Sequence, residues 1–199
     1  MTLTATRQQR QPGIDVHLRP VRLADWPTIH EWARRPDVTQ YQAWGPNRAV
    51  ETREYVVAAI EAARHLPQAR HVLSVVRSDR VVGMVELTVI DAEVGIAEIG
   101  YAVHPDVWGR GVGTAAARHA VRFALDELAM KVVRATCDAT NVASVRVLEK
   151  LGMQSEQTIP HDVWLGRRWR DTHVFSLRAE DATTAAPARR RTTPELDAG

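Results

Sequence analysis

The chain has 199 residues, of which 45% are hydrophobic and 25% charged, with a formal charge of +2; this suits one globular domain large enough to bury a core. So small a positive balance excludes the basic footprint of a nucleic-acid binder, and the single cysteine, Cys137, excludes an intrachain disulfide framework and a cysteine-built metal cluster. With no signal-peptide pattern and no apolar run long enough to span a bilayer, the expectation is a cytoplasmic protein without a membrane partner.

In chain order, Met1 to Gly13 is rich in Thr, Gln and Arg without an apolar period, and is expected to be a disordered tail (1–13). Val16–Arg22 alternates like a strand, and Pro20 places it at a sheet edge. Asp25 is positioned to cap a helix carrying Trp26, Ile29 and Trp32, with Pro27 in its first turn. A second helix spans about Val50–Arg64, ahead of Pro67. Val72–Val76 and Val81–Ile90 read as strands joined in a hairpin by Arg77-Ser-Asp-Arg80. Next come a strand over Ala97–Val103, a helix over Thr114–Leu128 and a strand over 131–137. Ala117, Val121, Ala124 and Leu128 recur at helical spacing and should face the sheet. A helix opened by Asn141 stops at Gly152, and strands near Gln154–Thr158 and Arg168–Leu177 close the domain. From Ala179 the composition shifts to Ala, Thr, Pro and charge. That predicts a domain over 14–178 and a second disordered tail over 179–199, whose Arg189–Arg191 triplet reads as a solvated run or an interaction arm. An antiparallel meander followed by a strand-helix-strand crossover is α+β, with one parallel pair in the middle.

The most informative segment is Glu98-Ile-Gly-Tyr-Ala-Val-His-Pro-Asp-Val-Trp-Gly-Arg-Gly-Val-Gly-Thr114. It is a strand, a turn and a glycine-rich loop opening into an alanine-rich helix. Gly109, Gly111 and Gly113 lack Cβ atoms, so the backbone can curl and approach a ligand. The helix start adds unpaired N–H groups and a positive dipole end. A P-loop would end in Gly-Lys-Ser/Thr, whereas Gly113 is followed by Thr114. A Rossmann loop would be G-x-G-x-x-G directly after its strand, whereas this one is G-x-G-x-G and lies beyond His104–Trp108. Two readings remain from the loop alone, a phosphate cradle of another kind and a plain tight turn.

Three further segments narrow the choice: Ala97-Glu-Ile-Gly-Tyr101, Asn141-x-x-Ser144 followed by Val147-Leu-Glu-Lys-Leu-Gly152, and the early Asp25-Trp26…Trp32-Ala-Arg-Arg-Pro36-Asp37-Val38. With Trp108-Gly-Arg-Gly-Val-Gly-Thr114, they resemble the GCN5-related N-acetyltransferase superfamily over about residues 16 to 178. The resemblance is closest to the branch that contains the ribosomal-protein N-terminal alanine acetyltransferases.

The resemblance implies a single α+β domain whose mixed, mostly antiparallel sheet splays at its centre, flanked by helices. It implies acetyl-CoA as donor and no metal, a monomer or homodimer, and direct transfer to a primary amine. That amine would be a protein or peptide N-terminus, or else a small amine such as an antibiotic, amino acid or polyamine. A function of another class, a non-catalytic acyl-CoA sensor or docking module, would use the same loop. Carried over residue by residue, Trp108, Gly109, Arg110, Gly111, Val112, Gly113 and Thr114 hold the pyrophosphate, with Trp108 standing where many relatives have Gln or Arg. Tyr101 and Val103 pair their backbone with pantetheine as an added strand would. Asn141 caps its helix and bonds the pantetheine amide, while Arg146 and Lys150 either approach the nucleotide or are surface charges.

The chemistry requires removal of a proton from the amine, stabilisation of an oxyanion and protonation of a leaving thiolate. Glu98, acting through a water, is the first candidate base, and Glu86 one strand earlier is its rival. His161, Asp162, Asp171 and His173 are weaker candidates. Ser144 is the candidate proton donor to the thiolate, or merely a helix-start serine, and Tyr101 is a second donor or a packing residue. Cys137 reads as a buried strand-end residue rather than a nucleophile. Tyr41, Trp44, Trp164 and Trp169 fall where the resemblance places the acceptor, or else in the core.

Overall fold

A computed structural model describes residues 14–166 and 168–184; the expected tail over 1–13 and the Arg189–Arg191 triplet lie outside the described residues. Ser78 and Asp79 both adopt positive φ, +47° and +60°, the two-residue turn whose twist matches a hairpin. It joins β2 (Arg70–Arg77) to β3 (Arg80–Asp91). β3 in turn pairs antiparallel with β4 (Ile96–Val103), and β1 (His17–Pro20) lines the outer edge of β2, where Pro20 can sit. On the other side lie β5 (Val132–Asp138), β7 (Trp169–Arg178) and the second edge strand, β6 (Gln154–Trp164), giving the order β1-β2-β3-β4-β5-β7-β6. Every neighbouring pair is antiparallel except β4 and β5.

Each face of the sheet carries its own core. Val85, Leu87, Ala97, Ile99 and Val133 pack on one side against Ala116, Ala117, Ala120, Val121 and Ala124 of α4 (Val112–Arg122) and the π turn that extends it (Phe123–Glu127). The apolar helix stripe read from the sequence is therefore the buried one, and each large aliphatic side chain there contributes about 1.5–3 kcal/mol. The other face packs Val72 and Met84 against α1 (Trp26–Ala33) and α3 (Ala49–Ala62), through Ile29, Trp32, Val56 and Ala59. A four-residue turn of helix, α2 (Pro36–Thr39), and the loop to Arg48 close the end of that layer.

Four expectations shift. Asp25 does not cap α1 with its side chain. A 3-10 turn precedes the helix, and the buried carboxylate accepts instead from Arg19 (2.7 and 2.8 Å), the Arg22 N–H (2.9 Å) and Ser74 (2.8 Å), tying that turn to β1 and β2. α4 starts at Val112, two residues before Thr114, because Gly111 takes the left-handed conformation and serves as its N-cap. β6 runs to Trp164 rather than Thr158, its pairing to β7 continuing past a bulge between Ile159 and Val163. The chain also continues into α6 (Ala179–Thr184), where a disordered tail is expected. The Ala179 N–H donates to Lys131 O at 2.9 Å, and Ala182 packs on the core. Among the described residues no helix is long and apolar enough to cross a membrane.

Candidate active site

β4 and β5 pair over only three positions, Ile96–Val132, Ala97–Val133 and Glu98–Arg134. β4 then continues to Val103 and β5 to Asp138 without pairing. This is the splay. The His104 N–H donates to Val82 O at 2.8 Å while Gly83 faces Val103. In that antiparallel register Val103, and Tyr101 two residues earlier, turn their own N–H and C=O away from β3 toward the open edge. An extended ligand arm can add there as a strand would. One of those groups is already used, because the Trp108 indole N–H donates to Val103 O at 2.9 Å.

At the upper end of the opening, Gly109 and Gly111 take φ values of +69° and +74°, a region that L side chains avoid. A Cβ on Gly111 would also lie 2.5 Å from Ile14 Cδ1. Gly113 is different. Its backbone is helical, and a Cβ would meet only Val103 Cγ2 at 3.9 Å and Tyr101 Cε2 at 4.0 Å, so its bareness leaves room beside the open edge rather than permitting the turn. The first bond within α4 runs from the Ala115 N–H to Gly111 O (3.0 Å). The N–H groups of Val112, Gly113 and Thr114 therefore project from the helix start together with the positive end of its dipole. Those three amides and the φ-positive glycines fit a pyrophosphate.

Below the loop, α5 (Val142–Lys150) begins on the far wall of the opening. Asn141 Oδ1 accepts from the Ser144 N–H at 3.1 Å, a cap that leaves the Asn141 amide NH2 available. The Tyr101 hydroxyl lies 3.5 Å from Ser144 O. Tyr101, Asn141, Ser144 and Leu148, with Cys137 and Asp138 at the end of β5, line one cavity in the splay. Burial pushes the Tyr101 hydroxyl up to about 12 and the Cys137 thiol up to about 11. The tyrosine therefore stays a proton donor, and the cysteine is no thiolate nucleophile.

A larger cavity of about 390 Å³ opens on the α1–α3 face, lined by Trp32, Trp44, Tyr55, Met84, Glu86 and Glu98 among others. It shares Gln42, Gly100 and Tyr101 with the first. The two cavities thus meet at Gly100, where a Cβ would meet nothing within 4 Å.

The two carboxylates in the larger cavity are held differently. Burial raises the Glu98 carboxyl, and the charges of Arg134 and Arg170 with the Thr136 hydroxyl only partly oppose it. Burial also acts on Glu86, but there the bonds from Arg70 and Tyr55 and the Arg70 charge win, and its pKa is lowered. Arg70 Nε and Nη2 donate to it at 2.6 and 3.1 Å and the Tyr55 hydroxyl at 2.6 Å. A group of high proton affinity beside a fixed anion is a division of roles.

Of the other sequence candidates, Tyr41 and Trp44 reach the cavities. Trp164 and Trp169 instead pack on each other at 5.5 Å beside the β6–β7 loop, each about half exposed. His161, Asp162, Asp171 and His173 bond within that hairpin, by Asp171 to the His161 N–H, Arg170 to Asp162 and Thr158 to His173, and line neither cavity. Arg146 and Lys150 lie on α5 away from both. Sequence reasoning passed over Arg70, Tyr55, Trp32, Thr136 and Arg170. Only Arg70 left a signal, as a basic residue on the strand that the hairpin brings beside Glu86. Among the described residues no group of three His, Cys, Asp or Glu side chains is placed to hold a metal.

The chain is 27% identical to the uncharacterised N-acetyltransferase p20 of Bacillus licheniformis over 161 residues, 80% of this chain and 90% of that protein. Among solved structures it superposes on the spermidine N-acetyltransferase of Vibrio cholerae in complex with CoA and spermine, with a TM-score of 0.74 at 18% identity over 84% of this chain and 98% of the other. It also superposes on RimL, the ribosomal L7/L12 α-N-protein acetyltransferase, in complex with coenzyme A, with a TM-score of 0.75 at 18% identity over 84% and 95%. Those two likenesses show the fold. Residues 15–154, most of the chain, match the family model for the acetyltransferase (GNAT) domain, and the protein belongs to that family as an acetyl-CoA-dependent N-acetyltransferase.

Proposed function

We propose that the protein acetylates a small primary amine bound in the α1–α3 cavity, with Glu98 as general base and Ser144 as proton donor to the departing thiolate. The observation that carries this reading is the junction at Gly100: Ser144 stands in the cavity on one side and Glu98 in the cavity on the other. Glu98 receives the ammonium proton through a water, and the freed nitrogen lone pair attacks the thioester carbonyl carbon. The C–N bond forms, the nitrogen sheds its second proton to water as the C–S bond breaks, and the sulfur leaves with the proton of the Ser144 hydroxyl, which the proton shed by nitrogen restores through water. Tyr101, Val103 and Asn141 orient the pantetheine arm, and Trp108, Gly109, Arg110, Gly111, Val112, Gly113 and Thr114 form the pyrophosphate cradle. The buried setting of Glu98 favours proton uptake nearer neutrality than for an ordinary glutamate.

A cleft of about 390 Å³ with a few converging polar groups is of the size a small molecule fills. A peptide end remains the second reading. Its support is the resemblance of the Trp108–Thr114 and Asn141-x-x-Ser144 segments to the ribosomal-protein acetyltransferases, whose acceptor is a protein α-amine. A competition assay offering Ala- and Ser-initiated peptides beside an aminoglycoside, amino-acid and polyamine panel tests the choice. Turnover confined to the peptides overturns the small-amine reading. Coenzyme binding without thiol release on any amine would instead indicate an acyl-CoA sensor.

A further inference from the structure

We propose that Glu86, braced by Arg70 and Tyr55, docks the incoming ammonium, and that the wall beyond it selects a monoamine with an apolar body over a polyamine. This rests on the α1–α3 cavity being the acceptor site. A carboxylate offers about four acceptor positions, and three at Glu86 are taken by Arg70 Nε, Arg70 Nη2 and the Tyr55 hydroxyl. The carboxylate borders the cavity and keeps about one-third of its side-chain surface exposed. One acceptor position is thus left for one substrate N–H. Arg70 balances the charge, so the docking is a directed hydrogen bond rather than a general attraction for cations.

Glu86 faces Gly100, and Thr88 faces Glu98, across β3 and β4. The two glutamates are therefore diagonal neighbours on one face, their Cα atoms about 7–8 Å apart. An amine docked at Glu86 needs only a short move to reach the base and the Gly100 junction.

Beyond Glu86 the cavity offers no third carboxylate: its remaining walls include the apolar Ile29, Trp32, Ala33, Trp44 and Met84 with the neutral side chains of Gln42, Asn47, Thr52 and Thr88, none of which balances a second positive charge. Trp32 is wholly buried, and its indole N–H has no partner among the described residues. An indole N–H only donates, so it cannot receive a second ammonium. Ammonium over a desolvated indole face gains about 2 kcal/mol or somewhat more, short of the several kcal/mol that desolvating an unpaired ion costs. A polycation, left without a counter-charge, is therefore disfavoured at this wall, and an apolar body is favoured by about threefold to fourfold per methylene it buries.

The test uses the full chain and two readouts. Binding of propylamine, isopentylamine, 2-phenylethylamine and spermidine is measured by calorimetry without acetyl-CoA, and kcat and KM are measured with it. We expect affinity to rise from propylamine to 2-phenylethylamine, with spermidine weakest. Glu86→Gln should weaken amine binding and raise KM about tenfold with little change in kcat or its pH profile. Trp44→Ala, which leaves the Arg70–Glu86 pair intact, should flatten the dependence on body size. Tightest binding by spermidine, unchanged amine affinity in Glu86→Gln, or a Glu86→Gln pH profile altered like that of Glu98→Gln would each overturn the proposal. If the amines bind as expected but are not acetylated, the docking assignment stands and the catalytic reading of this cavity falls.

Discussion

The two sides of the splay are built on different plans. On the coenzyme side the contacts come from backbone: the open edge of β4, the φ-positive Gly109 and Gly111, and the bare first turn of α4, all within residues 99–114. On the acceptor side they come from side chains drawn from α1, α3, β2, β3 and β4, with Tyr55 reaching Glu86 across 31 positions. A constant donor can be held by groups every residue carries, but a selected acceptor needs particular side chains. The cofactor half of such a site should therefore tolerate side-chain change and resist backbone change, and the acceptor half should do the reverse.

The largest expected effect is on the acceptor side. Glu98→Gln should lower kcat by about a hundredfold, the ordinary loss of a general base. The sign with pH is fixed by the raised carboxyl. The base works only when ionised, so wild-type activity should fall as pH drops through a value above the ordinary glutamate range near 4.3, and the variant should lack that limb and recover partly at high pH. Stability runs the other way. A carboxyl raised by folding favours the folded state below its unfolded pKa and loses that advantage as pH rises through the folded pKa. At neutral pH the variant should therefore melt no lower than wild type. Tm and kcat–pH profiles check both, and an unaltered acid limb would remove Glu98 from the mechanism.

Next in size is a backbone change on the coenzyme side. Gly113→Val keeps a helical φ and adds a Cβ with only ordinary contacts to Val103 and Tyr101, so the fold should persist. The new side chain crowds the amides at the helix start, and losing one charge-assisted bond of about 1.5–3 kcal/mol means tenfold or more in acetyl-CoA affinity by calorimetry. Gly111→Val is the poorer probe, because it strains φ and strikes Ile14. Undiminished affinity in folded Gly113→Val would show that the cradle lies elsewhere.

The same contrast explains what could be read from the sequence. Gly109 to Thr114, the Ser78–Asp79 turn and the Asn141 cap act through neighbours in the chain, so residue type and spacing announce them. The α4 stripe is legible for the same reason. The end of β4–β5 pairing after Glu98 leaves no local trace, since both strands keep their apolar alternation beyond it. Here only the family resemblance supplied the splay. Asp25 looks like a cap in one dimension and becomes a four-bonded buried anchor only when β2 brings Ser74 beside it. In the sequence only the family resemblance ranks Glu98 ahead of Glu86. Arg70 and Tyr55, contributed by other elements, make one a fixed anion and leave the other free to take a proton.

A smaller effect is expected from Ser144→Ala. Its backbone N–H, the part that Asn141 caps, survives the change, so folding should be kept. Tyr101 lines the same cavity, with its hydroxyl raised to about 12 and hence protonated. That second donor should limit the loss in kcat to about tenfold, short of the roughly hundredfold loss at the lower reach of general acid catalysis, with the pH profile unchanged. Ser144→Ala combined with Tyr101→Phe should lose more than either alone. If Ser144→Ala is silent both alone and on the Tyr101→Phe background, the serine is only a helix-start residue.

The smallest effect is predicted for Trp108, where the two plans touch. Its indole closes the Val103 carbonyl at 2.9 Å, yet the side chain remains 46% exposed. Trp108→Phe removes that donor, and a single bond in a half-exposed setting is worth about 1 kcal/mol net, because water can replace it. If the cradle is made of backbone, the indole is only a brace for the end of β4, and acetyl-CoA affinity should change less than about fivefold, with the bond's full worth the ceiling. That should be well short of the loss in Gly113→Val. The bare Val103 carbonyl also becomes available to pantetheine, which offsets part of the change. Calorimetry on the two variants side by side decides the matter. A Trp108→Phe loss equal to that of Gly113→Val would make the indole itself a coenzyme ligand, and the coenzyme half would then be built, like the acceptor half, from chosen side chains.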